Sequence, residues 1–108
     1  MFPLFEEFRK RVLNLDASVR EEPKKMYVAY KAATNFVDVI FQKKRLMMTL
    51  NMEFAVINDP QGLCKDVTGL GKWGNGDVQV YLETTGQLDA VMALVRQSFD
   101  QQMGEEAG

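Results

Sequence analysis

Two neighbouring stretches of β-forming residues constrain the fold of this chain more than any other feature. Residues 36–41 and 45–52 are rich in apolar, aromatic and β-branched side chains, and only Gln42, Lys43 and Lys44 separate them. Such runs joined by so short a connection predict a β-hairpin. A two-residue turn at Lys43 and Lys44 would place six apolar residues on one face. The predicted pairs are Phe41 with Leu46, Val39 with Met48, and Val37 with Leu50. Because the turn lacks the preferred Asn-Gly or Asp-Gly sequence, a longer loop stays open.

The opposite face of this hairpin is also apolar. The same alternation places Phe36, Ile40 and Met47 there, beside Asp38 and Thr49. A face exposed to water is rarely so apolar, so a helix or a second copy of the protein should cover it. Phe36, Ile40 and Met47 are therefore the predicted self-association residues, and a homodimer is one candidate assembly.

The rest of the chain has the patterns of two helices and further strands. Apolar residues at steps of three and four predict helices over residues 3–15 and 86–102. Residues 26–31 and 77–83 have strand patterns, whereas the charged segment 18–25 is predicted to be a connector. Strands in succession between two helices predict an α+β fold. The expected architecture is an N-terminal helix, an antiparallel sheet of about four strands with a central hairpin, and a C-terminal helix packed on the sheet.

Length and composition bound the domain organisation. A chain of 108 residues has room for one hydrophobic core, so we expect a single domain over residues 1–103 and a disordered tail over 104–108. No apolar run approaches the roughly 20 residues of a membrane helix, and the first residues do not resemble a signal peptide. The single cysteine, Cys64, cannot form an internal disulfide. These features favour a cytoplasmic protein with no membrane partner.

The residue types argue against most catalytic and metal sites. There is no histidine, which removes the commonest general base and the nucleophile systems that depend on it. Cys64 alone cannot form a thiolate metal cluster. Although Lys65 follows Cys64 and could lower the pKa of its thiol, a part-buried structural thiol is the favoured interpretation. We therefore predict a protein that is not an enzyme and has no catalytic residues, metal or cofactor.

Residues 53–76 are the least regular part of the chain, and five of the eight glycines lie within residues 62–76. A Gly-x-Gly-x-x-Gly sequence occurs there, but it precedes a predicted strand, whereas the dinucleotide-binding fingerprint follows a strand and opens a helix. Trp73 has two interpretations: it can cover the edge of the core, or it can form the wall of a ligand pocket. The polar residues of such a pocket would be Lys65, Asn75 and Asp77.

Positive charge is concentrated in the middle of the chain. Residues 23–52 carry six cationic side chains against Asp38 alone, whereas residues 53–108 carry three cationic and nine anionic ones. This segregation could reflect an anionic partner for the middle segment. The favoured interpretation is that the two oppositely charged halves face each other or simply form a solvated surface. The residues predicted to contact nucleic acid or another anion are Lys31, Lys43, Lys44 and Arg45.

Six stretches of the sequence allow a family comparison. They are residues 30–32, 35–39, 42–46, 59–68, 73–78 and 88–92, which include Asn-Phe-Val-Asp-Val and Trp-Gly-Asn-Gly-Asp-Val. Together they resemble an uncharacterised bacterial domain family labelled "predicted transport protein", over Leu4 to about Phe99. The sequence departs from that family's pattern at Phe41 and Met47, and both changes make the hairpin more apolar.

What the resemblance implies about function is modest. Members of that family stand alone or form the C-terminal part of larger proteins, including proteins with nuclease-type domains. The resemblance therefore implies an accessory role, such as DNA contact or docking to a nuclease-type partner, and it brings no established catalytic residue. The transport label has no support in this sequence, which contains no membrane-spanning segment.

Three functions stay open at this stage. The first is a non-catalytic binding module whose basic hairpin contacts nucleic acid or a nuclease-type protein. The second is a homodimeric interaction protein that uses the apolar face of the same hairpin. The third is a small-molecule-binding domain with its pocket near Trp73. An enzyme is the least favoured class because histidine is absent.

Overall fold

An antiparallel sheet and two helices make up the computed structural model, which describes residues 2–68 and 76–107. The helices are α1 (Phe2–Leu13) and α2 (Leu88–Ala107), and the strands are β1 (Arg20–Pro23), β2 (Val28–Lys31), β3 (Asn35–Phe41), β4 (Leu46–Leu50), β5 (Cys64–Asp66) and β6 (Val78–Leu82). Within these residues the sheet has six strands in the order β1-β2-β3-β4-β6-β5, and every neighbouring pair is antiparallel. The predicted α+β class and antiparallel sheet are confirmed.

The predicted number of strands was wrong, because the two edge strands are short and polar. Strand β1 lies in the segment interpreted as a connector, and β5 lies in the irregular region. Edge strands tolerate charges and proline, since one of their sides has no strand partner. Glu21 of β1 also has partners on α1 and β2: its Oε2 accepts hydrogen bonds from Arg9 Nε at 2.8 Å and from the Tyr30 hydroxyl at 2.7 Å.

The central hairpin has the predicted register. The pairs Val37–Leu50, Val39–Met48 and Phe41–Leu46 all form between β3 and β4. The backbone N–H of Gln42 donates to the carbonyl of Arg45 at 2.9 Å, so Lys43 and Lys44 are the two central residues of the turn. The alternation of apolar residues was sufficient to select this register, because a slip by one residue would reverse every side chain.

Both helices pack on the same face of the sheet. Phe8 of α1 is fully buried and meets the ring of Tyr30 edge-on, with 5.9 Å between ring centroids. Val91 and Val95 of α2 belong to the same buried cluster. Arg11 of α1 also pairs with an aspartate of α2. We call the opposite side of the sheet the second face; its residues include Ala29, Asp38, Ile40, Met47, Thr49, Gln79 and Tyr81.

The predicted position of Phe36 was wrong because β3 contains a β-bulge. Tyr30 pairs with Val37, but the next residue, Lys31, pairs with Asn35, so Phe36 is an extra residue on β3. The bulge re-aims this side chain, as such irregularities do. Phe36 is fully buried in the main core, and its ring meets that of Phe99 edge-on at 5.3 Å. It therefore does not lie on the second face.

The C-terminal helix extends further than predicted. A capping box between Thr84 and Gln87 precedes α2, which then continues to Ala107. Residues 104–107 belong to this helix, and the single domain over residues 1–103 with a tail over 104–108 stays a prediction. The side-chain amide of Gln102 donates to the carbonyl of Asn51 at 2.5 Å, which ties the helix to the segment after β4.

Neither of the two helices in the described ranges has the length and apolar character needed to cross a lipid bilayer.

Candidate functional site

One row of paired residues crosses the second face on all six strands. In sheet order the row is Glu22, Ala29, Asp38, Thr49, Gln79 and Lys65. Its centre is buried, since Asp38 is 0% and Thr49 3% exposed. Asp38 Oδ1 accepts a hydrogen bond of 2.9 Å from Asn35 Nδ2. A ligand therefore has access to the polar groups near the margins of the second face and not to the middle of this row.

The turn of the central hairpin presents two lysines to solvent. Lys43 and Lys44 are exposed, and neither forms an ion pair with any residue that the structure describes. Arg45 is held differently: its Nε donates to Gln42 Oε1 at 2.7 Å, and its guanidinium carbon lies 3.7 Å from the centre of the Tyr81 ring. Two exposed lysines without an ion pair among the described residues, and one arginine held by side-chain contacts, therefore lie at this end of the sheet. We call Lys43, Lys44, Arg45 and Tyr81 the hairpin end.

Lys31 does not belong to this group. It pairs with Asn35 at the far end of β3, a strand of seven residues. At about 3.3 Å per residue, roughly 20 Å separates it from the hairpin end. The four residues predicted to contact an anion therefore form two separate groups, because the antiparallel connection places Lys31 and Lys43 at opposite ends of β3.

Lys31 instead lies in a cavity of about 390 Å³ at the β1–β2 side of the sheet, which we call the basic groove. Its lining residues are Arg20, Lys24, Tyr27, Ala29, Lys31, Ala33, Thr34 and Asn35. Glu22 Oε1 lies 3.0 Å from Lys24 Nζ and 3.2 Å from Lys31 Nζ. Hydrogen bonds from Lys24 and Lys31 lower the pKa of Glu22. The hydrogen bond from Lys24 to Glu22 in turn raises the pKa of Lys24.

The contributions of Arg20 and Lys24 to the groove were missed because segment 18–25 was interpreted as a connector. One signal could have found Arg20. In a strand, residues 20 and 22 lie on one side and residue 21 on the other. A strand interpretation of Arg20-Glu21-Glu22 would therefore have placed Arg20 and Glu22 together beside the neighbouring strand.

Not all three residues predicted to mediate self-association lie exposed on the second face. Phe36 lies in the core, and Met47 is 6% exposed. Gln42 Nε2 lies 3.6 Å from the sulfur of Met47. Of the three residues, only Ile40 keeps partial exposure. The surface of one partly exposed residue is far smaller than the roughly 1,200 Å² that a stable interface buries.

The structure describes only part of the pocket predicted around the tryptophan. Trp73 and Asn75 lie outside the described residues. Lys65 is exposed on β5 and pairs with Gln79, and the carbonyl of Asp77 accepts a hydrogen bond from the backbone of Val67 at 2.9 Å. The pocket thus stays a prediction.

Cys64 lies beside a carboxylate and not in a cationic environment. Asp59 accepts hydrogen bonds from the backbone N–H groups of Leu63 at 2.9 Å and Cys64 at 2.8 Å. Burial alone would raise the pKa of Asp59, but these hydrogen bonds outweigh it and lower the pKa. Burial and then the charge of Asp59 raise the pKa of the Cys64 thiol to about 12. Within the described ranges, no group of three or more His, Cys, Asp or Glu side chains could hold a metal.

This environment should make Cys64 slow to alkylate. The reference pKa of an unperturbed cysteine thiol is 9.0. A value of about 12 lowers the thiolate fraction, and with it the rate of alkylation, roughly a thousandfold near pH 8. Iodoacetamide labelling followed by mass spectrometry, in native buffer and in urea, measures this ratio. The native rate should keep rising tenfold per pH unit above pH 9, where the unfolded chain levels off. Equal native and unfolded rates would contradict the raised pKa.

Comparison with known proteins identifies the family. The chain matches the model described as "Domain of unknown function (DUF5655)" over residues 1–102. An "Uncharacterized protein" of Haemophilus influenzae is 36% identical over 95 residues, which is 88% of this chain and 32% of that protein. The chain therefore spans about a third of that relative's length.

No solved structure matches this chain. The names of the family and of this relative mention neither transport nor a nuclease, so those implications stay predictions. The expectation of an uncharacterised domain family is confirmed. Because the family model covers nearly all of its residues, this chain belongs to the DUF5655 family.

Proposed function

We propose that this chain is a non-catalytic binding module that contacts single-stranded nucleic acid through the hairpin end. The observation that supports the proposal is the exposed pair Lys43 and Lys44 next to the stacked side chains of Arg45 and Tyr81. The accessory role beside a nuclease-type partner, which the family resemblance implies, is part of this proposal. Such a module would hold a strand close to that partner.

The two lysines supply the contact with phosphates. Because Lys43 and Lys44 have no carboxylate partner among the described residues, an incoming phosphate does not have to displace one. Each phosphate that a lysine neutralises releases condensed counterions, which is the main source of affinity in such complexes. Binding should therefore depend steeply on salt.

Arg45 and Tyr81 supply a surface on which a base can stack. The hydrogen bond from Arg45 to Gln42 and the one from the Tyr81 hydroxyl to Gln79 Oε1, at 3.1 Å, hold the two planar groups in place. Both side chains are partly exposed. Arginine planes and aromatic rings stack on bases of any sequence, but only when those bases are unpaired. This stack therefore favours single-stranded over duplex nucleic acid.

Charge reversal at the turn tests the phosphate contact. We expect the Lys43→Glu/Lys44→Glu variant to bind a labelled single-stranded 20-mer at least about tenfold more weakly at low salt, with the log–log salt slope reduced by about 1 to 2. Fluorescence anisotropy over a salt series measures both quantities. The control with the same charge change is Lys10→Glu/Arg96→Glu, on α1 and α2 respectively. Binding that is independent of salt, or an equal loss in the control, would rule the proposal out.

Removal of the ring tests the stacking contact separately. Tyr81→Leu keeps an apolar side chain in the sheet but removes the aromatic plane. Because stacking contributes about 1–3 kcal/mol per base, this variant should lose its preference for single strands while its salt slope stays unchanged. The same titrations with a duplex of matched sequence provide the comparison. An unchanged preference would show that the Arg45–Tyr81 stack does not contact bases.

A further inference from the structure

We propose that the basic groove is a second, independent binding site, for a phosphate monoester that also carries a hydroxyl group. The groove lies about 20 Å from the hairpin end, beyond the Debye length of about 10 Å at moderate salt. Its occupation therefore does not depend on whether the hairpin end binds nucleic acid. Its volume of about 390 Å³ is suited to a small ligand.

The cationic side chains of the groove select an anion. Arg20, Lys24 and Lys31 all line it, and Arg20 makes no ion pair with the described part of the chain. The opposing carboxylates are Glu22, which Lys24 and Lys31 share, and the buried Asp38, which pairs with Ala29 of the groove lining. Three cations against two carboxylates leave a net positive charge in the groove.

The arrangement of these cations fits a phosphate monoester. Arg20 and Lys31 are paired across β1 and β2, and Lys24 follows the end of β1. The three donors are therefore separate groups, one of them a planar fork. A monoester has three terminal oxygens that can each accept from a different donor, and arginine binds two of them side by side.

Asn35 adds a requirement for a hydrogen-bond donor on the ligand. It lines the groove, is only 7% exposed, and its Oδ1 has no hydrogen-bond partner. Since a carboxylate only accepts, the Nδ2 of Asn35 must face Asp38, which leaves Oδ1 as the unsatisfied acceptor. A buried acceptor without a partner is destabilising. Oδ1 has almost no exposed surface, so a ligand hydroxyl would reach it, and gain a strong contact, through a small shift of the Asn35 side chain toward the groove. The dianion of a phosphate monoester has no such donor on its phosphate group, so the donor must come from a hydroxyl elsewhere on the ligand.

Glu22 competes with the ligand for the two lysines. Its carboxylate lies within 3.2 Å of both ammonium groups, so an arriving phosphate must share or displace it. Removing its charge should therefore strengthen binding, whereas removing the charge of Lys31 should weaken it. The two opposite effects in one cavity distinguish a specific site from a general attraction to positive charge.

Isothermal titration with ribose 5-phosphate, methyl phosphate and ribose tests the proposal on the intact chain. Ribose 5-phosphate should bind about tenfold more tightly than methyl phosphate, which has no hydroxyl group, and ribose alone should not bind. Lys31→Gln should weaken ribose 5-phosphate binding about tenfold, and Glu22→Gln should strengthen it severalfold. Both substitutions replace partly exposed side chains, so folding is retained. The matched control is Lys10→Gln on α1, outside both proposed sites, which should leave ribose 5-phosphate binding unchanged.

Three outcomes would overturn the proposal. Equal affinity for methyl phosphate and ribose 5-phosphate would reject the hydroxyl contact at Asn35. Unchanged binding in both Lys31→Gln and Glu22→Gln would reject the groove as the site. Absence of any binding would reject it entirely.

Two further titrations separate this site from the hairpin end and identify the source of the phosphate. The Lys43→Glu/Lys44→Glu variant should bind ribose 5-phosphate normally even if the parent chain binds no nucleic acid. A free sugar phosphate and the 5′ end of a strand offer the same chemistry. In that variant, a 5′-phosphorylated oligonucleotide that binds more tightly than ribose 5-phosphate would support the strand end as the source, and the reverse order would support a free metabolite. Loss of ribose 5-phosphate binding in that variant would contradict an independent groove.

Discussion

The Gly76→Ala variant should lose most of the stability of this domain. Gly76 has a φ of +111°, which side-chain-bearing residues rarely adopt. An added Cβ would overlap the carbonyl oxygen of Leu50 and lie 2.6 Å from the Cα of Asn51. Because both obstacles are backbone atoms at the end of β4, no side-chain rotation can relieve them. We expect a loss of more than about 4 kcal/mol in the free energy of unfolding, or no folded protein.

Two other glycines provide matched controls for this experiment. Gly62 also has a positive φ, of +65°, but an added Cβ would meet nothing within 4 Å, so Gly62→Ala should cost only about 1–2 kcal/mol of backbone strain. Gly104 lies in α2 with open space around it, so Gly104→Ala should stabilise by about 0.5–1 kcal/mol. Urea unfolding followed by circular dichroism measures all three. Equal losses for Gly62→Ala and Gly76→Ala would contradict the close backbone approach at Gly76.

The Phe36→Ala variant has the second largest expected effect. Because the bulge directs Phe36 into the main core against Phe99, its truncation should cost about 3–5 kcal/mol. If Phe36 lay on the second face, as alternation along β3 predicts, the loss would be much smaller. Urea unfolding monitored by circular dichroism distinguishes the two positions.

Ile40 is the matched control for Phe36 because it lies on the same strand, is partly exposed and occupies the second face. Ile40→Ala should cost less than about 2 kcal/mol. The denaturant slope should not change in either variant, which shows that the midpoints report stability. A larger loss at Ile40 than at Phe36 would mean that the bulge does not form in solution.

Much of this fold can be predicted from the sequence, because it depends on local patterns. The register of β3 with β4 follows from apolar alternation on both sides of Lys43 and Lys44, since only one register buries both sets of side chains. The helices likewise follow from apolar spacing. The exposure of the two lysines at the turn is also a local property, as is the concentration of cations in residues 23–52.

Other features depend on contacts between distant residues, which a pattern read along one strand does not contain. The bulge at Phe36 is a mismatch between two strands, and it is stabilised by Phe99, more than sixty residues away in the sequence. The edge strand β1 is charged, and it is recognisable as a strand only once Arg9 and Tyr30 provide partners for Glu21.

The candidate sites illustrate the same distinction. The sequence alone determined the α+β class, the central hairpin and the two lysines at its turn. Only the tertiary structure separated Lys31 from those lysines, placed it with Arg20 and Lys24, and left the buried Oδ1 of Asn35 without a partner. The physical reason is that an antiparallel strand carries its two ends about 20 Å apart, so cations close in sequence can lie far apart in space.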